Sequence, residues 1–331
     1  MNRKFNIILT AAALLGLLAC NREDIVSIDP DTSNEIRFDQ VATKAGLSDL
    51  QTDGFGVWAI CVNDAQPNGC WIFDNEYVWK DGDAWKYDGE ELWINNSMYG
   101  FFACYPQNVG FEKSTVTVDG QEYPAVVLAD FVTPDSADAD IIVATNITDT
   151  TIGGYDETVK FTFKHIFSKI NIRVKQNKGT NERDNFIIDK ITLRNVKSKA
   201  TCSYLYSITP QWKYDTAVSK TFIKEVEGDD IIDFTTGIML SEEGLLLLPQ
   251  TIEPNSIELE IEFRFGLEGN TDISTFETKT YKAYLPSTVN WESGKSYTYT
   301  AQVSTYNPIV FLAPTVESWG GSQSGGTIII K

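Results

Sequence analysis

From residue 34 onward, hydrophobic and polar positions alternate with a period of two. In "SIELEIEFRF", Ile257, Leu259, Ile261, Phe263 and Phe265 fall on one face, and Glu258, Glu260, Glu262 and Arg264 on the other. That is a strand with one wet face. "TVKFTF" (Val159, Phe161, Phe163), "KINIRVK" (Ile170, Ile172, Val174) and "SYTYTAQV" (Tyr297, Tyr299, Ala301, Val303) repeat the pattern. Further β-branched and aromatic runs, such as "FGVWAICV", "DIIVAT" and "TFIKEV", lie between Gly, Asn, Asp and Pro punctuation. No window carries a capped helical stripe. Many short strands with frequent turn signals predict an all-β chain of antiparallel sandwiches. A polar, glycine-containing stretch at 148–157 separates two strand-rich halves, which places an N-terminal β-sandwich domain at 35–155 and a C-terminal one at 156–331.

The first residues break this pattern. "MNRK" is a basic start, "FNIILTAAALLGLL" is an apolar run too short for a comfortable membrane span, and "LLAC" ends it at Cys20. The segment resembles a bacterial lipoprotein signal. The resemblance implies removal of residues 1–19, lipidation of Cys20 and a polar tether over 20–34, so that the chain is anchored to a membrane rather than spanning it. The acidic Glu23 and Asp24 just after Cys20 resemble a surface-export signal.

Charge and cysteines then exclude several classes. With 27 basic against 46 acidic side chains and no basic block, electrostatics oppose nucleic acid and anionic lipid surfaces. The single histidine, His165, and the absence of any C-x-x-C leave no zinc constellation, no metal site and no Cys/His or Ser/His/Asp system. His165 has a phenylalanine two positions to either side and reads as a structural, hydrogen-bonded histidine. Cys61 and Cys70 flank "VNDAQPNG", a strong turn signal; a disulfide across that loop and four separate buried thiols (Cys61, Cys70, Cys104, Cys202) both fit. The acidic clusters "KDGDAWKYDGEELW" and "TPDSADAD" lack calcium-loop spacing and read as turns. An enzyme would need a glycosidase-like carboxylate pair, and the acids nominate none, so the expectation is a non-enzymatic chain without cofactors.

Several stretches in order resemble the fimbrillin family of the Bacteroidota, subunits and accessory lipoproteins of type V pili. They are "EIRFDQVATKAG" (35–46), "GFGVWA" (54–59), "LWINNSMYGFFACYP" (92–106), "VKFTFKHIFSKINIRV" (159–174), "ITLRNVKSKATCSY" (191–204), "LLLLPQTI" (245–252), "NWESGKSYTYTAQV" (290–303) and "PIVFLAPTVESWGGSQSGGTIII" (308–330). The resemblance implies two tandem transthyretin-like β-sandwiches, an outer-membrane lipoprotein at the cell surface, and assembly with other pilus subunits in adhesion. It also implies that a trypsin-like protease discards the first strand, carrying Ile36 and Phe38, by cutting at Lys44, with Arg37 a poorer site inside the strand. A neighbour's extended segment then fills the vacated groove. At the C-terminus, "TIIIK" with Ile328 and Ile330 on one face is the expected donor strand, while the run 308–318 either donates or completes its own sheet. The alternative function is a permanently lipid-anchored surface module that binds glycan or host protein through the aromatics of 71–93.

Overall fold

The computed structural model describes residues 34–319 apart from 44–49, 136–138, 151–157, 178–183, 206–209, 233–234, 236, 268 and 306–307. The chain first runs through β1 (Phe38–Thr43), β2 (Phe55–Val62), β3 (Cys70–Asp81), β4 (Ala84–Lys86), β5 (Met98–Tyr105), β6 (Phe111–Val118), β7 (Gln121–Val132), β8 (Ile142–Asp149) and β9 (Val159–His165). There follow β10 (Ser168–Gln176), β11 (Asn185–Lys197), β12 (Lys199–Tyr204), β13 (Gln211–Tyr214), β14 (Ser219–Glu225), β15 (Ile238–Met239) and β16 (Leu245–Leu247). The last are β17 (Glu258–Gly266), β18 (Glu277–Tyr284), β19 (Lys295–Val303), β20 (Val310–Phe311) and β21 (Thr315–Ser318). Among the described residues, helix is limited to one α-turn, Leu50–Asp53, and short 3-10 turns such as Ile273–Thr275. Among the described residues no helix is long and apolar enough to cross a membrane. The chain is all-β.

The alternating segments fold as their pattern dictates. In β9, β10, β17 and β19 the residues expected to face inward (Phe161, Phe163, Ile170, Ile172, Phe263, Tyr299 and their neighbours) are buried. Non-alternating β2 is buried on both faces. Phe55, Val57, Ala59 and Cys61 fill one core while Trp58 fills another, which is why "FGVWAICV" reads as a continuous apolar run.

Three layers of packing result. A closed barrel runs in the order β1-β4-β3-β2-β5-β8-β9, with β9 returning to β1, and its interior is lined by aromatics. A four-stranded sheet, β13-β12-β7-β6, covers one outer wall, where Phe102, Cys104 and Trp58 meet Val126, Leu128, Cys202 and Tyr204. The third layer is a sandwich: the sheet β14-β11-β17-β18 faces a sheet built on β10 and β19, which run parallel from Lys169↔Ser296 to Gln176↔Val303.

The first unit therefore differs from a plain two-sheet sandwich. β1 pairs antiparallel with β4 and parallel with β9, and this double pairing closes the sheet on itself. Nor do the sheets divide at residue 155, because β9 completes the barrel while β12 and β13 extend its covering sheet through β7.

Candidate functional site

The seam of the barrel is where the N-terminal strand lies. Its backbone is tied in before regular pairing begins: the Trp93 N–H donates to the Asn34 carbonyl at 2.8 Å, and the Ile36 N–H to the Glu91 carbonyl at 2.8 Å. The Val159 N–H donates to the Arg37 carbonyl at 2.7 Å, and the Tyr87 hydroxyl to the Ile36 carbonyl at 2.9 Å. Beyond this, Phe38 pairs with Val159 and with Trp85, and the register continues to Thr43↔Phe163 after an irregularity between Asp39 and Ala42.

The side chains follow the same logic. Alternation places Ile36 and Phe38 inside the barrel, 0% and 4% exposed, and turns Arg37 out to solvent. Phe38 sits among four rings: Phe161 at 5.7 Å between centroids, Phe73 and Tyr87 at 5.8 Å, and Phe101 at 6.3 Å. These rings come from β9, β3, the segment after β4 and β5, so one strand holds the whole barrel together. Burial pushes the Tyr87 hydroxyl up to about 12, with Glu35, Glu91 and Glu76 adding to the rise, so it stays a neutral donor to Ile36. Burial likewise raises Glu76, opposed by a hydrogen bond from the Asp88 backbone and helped by the charges of Asp88 and Glu91.

Each large apolar side chain that β1 buries is worth roughly 1.5–3 kcal/mol, and each ladder hydrogen bond about 0.5–1.5 kcal/mol. Without β1, the site would be an apolar trough lined by Phe73, Tyr87, Phe101 and Phe161 between two unpaired edges. An extended segment with alternating large apolar side chains is what fits it.

Of the other residues singled out from the sequence, Cys20, Lys44, Ile328 and Ile330 lie outside the described residues. The bridge between Cys61 and Cys70 is not formed, because Cys61 is a free, buried thiol. The two cysteines are directly opposed across β2 and β3. Cys70 is itself disulfide-bonded, so neither the Cys61–Cys70 bridge nor the set of four separate thiols holds. Cys104 and Cys202 are also free thiols in the core. His165 is structural: it is 5% exposed and hydrogen-bonds through Nδ1 to Asp140. Among the described residues, no group of His, Cys, Asp or Glu could hold a metal ion.

The run 308–318 forms β20 and β21 on the edge of its own sheet, paired with β19 from Gln302↔Val310 and Ala301↔Phe311 to Lys295↔Ser318. The trough residues Phe73, Tyr87 and Phe101 were not legible as a group in the sequence, since no local pattern reveals which strands share a barrel.

A sequence profile described as Fimbrillin-like matches residues 43–319. The chain belongs to the fimbrillin-like family. Fimbrium subunit Fim1C of Phocaeicola vulgatus is 27% identical over 205 residues, which cover 53% of this chain and 53% of that protein. The chain thus spans about half the length of that curated relative. A crystal structure of a fimbrial protein from Bacteroides vulgatus superposes with a TM-score of 0.59 at 18% identity, covering 86% of this chain and 99% of the other. At that identity the likeness is one of fold. In this fimbrillin-like chain the family match begins at Thr43, the last residue of β1, and ends at Trp319, just past β21.

Proposed function

We propose that this fimbrillin-like protein is a structural or accessory subunit of a type V pilus, exported as a surface lipoprotein and assembled by protease-triggered donor-strand exchange in the service of adhesion. On this reading its role is non-enzymatic, and its two units are variants of the transthyretin-like sandwich. The observation that carries it is the first described strand, β1, with the residues leading into it: Ile36 and Phe38 are buried, β1 is paired on both edges, and Lys44 follows it in the sequence. Cutting there severs the peptide link between that strand and the rest of the barrel. A neighbour's segment then competes for the trough, and the open edge that proteins normally protect becomes the means of assembly.

Two segments qualify as donor. The tail beyond Trp319 carries Ile328 and Ile330 and is joined by the spacer "GGSQSGG". The run 308–318 carries Ile309 and Phe311 at the same spacing as Ile36 and Phe38, but it must first leave β19.

The test is cleavage of the purified chain by a trypsin-like protease, followed by N-terminal sequencing and electron microscopy. The expected result is a new N-terminus at Ala45 and filaments. A chain cut after Lys44 and stripped of β1 that stays monomeric overturns exchange. Deleting 320–331 and, separately, changing Ile328 and Ile330 to Asp then separates the two donors. In cells, Cys20→Ala is expected to abolish fatty-acid labelling, and persistent labelling overturns the anchor.

A further inference from the structure

The C-terminal edge strand is weakly held along its length. β20 spans Val310–Phe311 and β21 Thr315–Ser318. Val310 is 43% and Leu312 41% exposed, and only Ile309, Phe311 and Val316 turn towards the sandwich core. The strand lies at the edge of its sheet, paired with β19 alone.

The residue just past it is held quite differently. The Trp319 indole lies flat on the His165 imidazole, with centroids 3.6 Å apart and planes 6° from parallel. The Lys169 ammonium stands 5.7 Å from the indole centroid. The Trp319 N–H donates to the Gly294 carbonyl at 2.9 Å, while the Gly294 N–H donates to Phe167 at 2.8 Å. Gly294 has a φ of +71°, a conformation that favours glycine and lets one residue join both segments. The seat is firm: His165 is buried, its Nδ1 bonded to Asp140 and its backbone paired with Ile142. Its Nε2 finds no hydrogen-bond partner among the described residues, and the stacked indole covers the face of the ring.

We propose that Trp319 is a latch that keeps the C-terminal edge strand on its own sheet by anchoring its end to His165 on β9, at the seam between barrel and sandwich. The same β9 pairs with β1 through Val159, Lys160, Thr162 and Phe163, so the latch is mounted on the strand that the N-terminal segment closes against. The latch stands on this geometry alone; its use as a release point rests on the exchange reading above.

Hydrogen exchange read by mass spectrometry on the full chain tests it. Trp319→Ala is expected to raise exchange of amides in 310–318 on the order of tenfold, as expected for loss of an aromatic stack and its burial. Barrel peptides from β2 and β5 keep their protection, and Trp319→Phe, which preserves a stacking ring, restores most of the protection in 310–318. Unchanged exchange over 310–318 in Trp319→Ala overturns the latch. So does an equal loss of protection across the barrel, since Trp319 would then support the whole fold rather than one strand. If Trp319→Ala frees the strand yet the cut chain assembles no faster, the latch stands, and exchange through 308–318 is what fails.

Discussion

The ring of Phe38 lies against that of Phe161, with centroids 5.7 Å apart and planes 18° from parallel, and this pair joins the first described strand to the last strand of the barrel. Phe38 is 4% exposed, whereas Arg37 beside it faces solvent. Phe38→Ala is expected to lower unfolding stability by about 3–5 kcal/mol, the cost of emptying a buried aromatic site. Arg37→Ala is expected to stay within about 0.5 kcal/mol. Urea denaturation of both variants checks the contrast.

Backbone pairing sets protease preference. The Arg37 carbonyl already accepts a hydrogen bond from Val159, and a protease needs that backbone free and extended. Cleavage is therefore expected to follow Lys44 first. Lys44→Ala should abolish the first cut seen by mass spectrometry, and Arg37→Ala should leave it unchanged.

The thiols make a separate prediction. Burial raises the pKa of Cys61, Cys104 and Cys202, so the reactive thiolate is scarce and shielded. Iodoacetamide at pH 8 is expected to leave all three unlabelled in the folded protein and to label all three once it is denatured without reductant. A Cys61–Cys70 cross-linked peptide in the non-reduced digest would contradict this.

Acid should weaken the sandwich through Glu260. This carboxylate lies on the polar face of β17 yet is only 7% exposed, and it is paired with Lys282 at 2.7 Å and with Arg194. The Lys282 hydrogen bond, then that of Arg194, holds its pKa below the ordinary carboxylate value despite burial. A depressed folded pKa gives stability that is present above the unfolded pKa and is lost as pH falls through the folded one. Glu260→Gln should therefore destabilise the protein at pH 7, and the difference from wild type should shrink as pH drops below the carboxylate range. Thermal midpoints across pH 2–7 read this out.

Sequence alone determined the faces of the strands. Alternation at 257–265, 159–163, 170–174 and 297–303 reported the buried side correctly, because a strand's two faces depend only on its own residues and a period of two. Ile36 and Phe38 were readable as inward residues for the same reason, although the strand begins only at Phe38 and leaves Ile36 and Arg37 ahead of it, and His165 was readable as structural from its apolar neighbours. Pairing was a different matter. That β1 lies parallel to β9 and thereby closes a barrel, that β9 and β12 cross the expected boundary, and that Trp319 meets His165 were all decided by tertiary structure. Even Glu260, correctly placed on the polar face, was buried by charges arriving from β11 and β18. Cys61 and Cys70 show the limit at short range: the turn between them and their opposition in the ladder were within reach of the sequence, but that Cys70 is disulfide-bonded while Cys61 stays a free thiol was not. Faces follow from local stereochemistry, whereas partners are chosen by the burial that distant segments gain only when they meet.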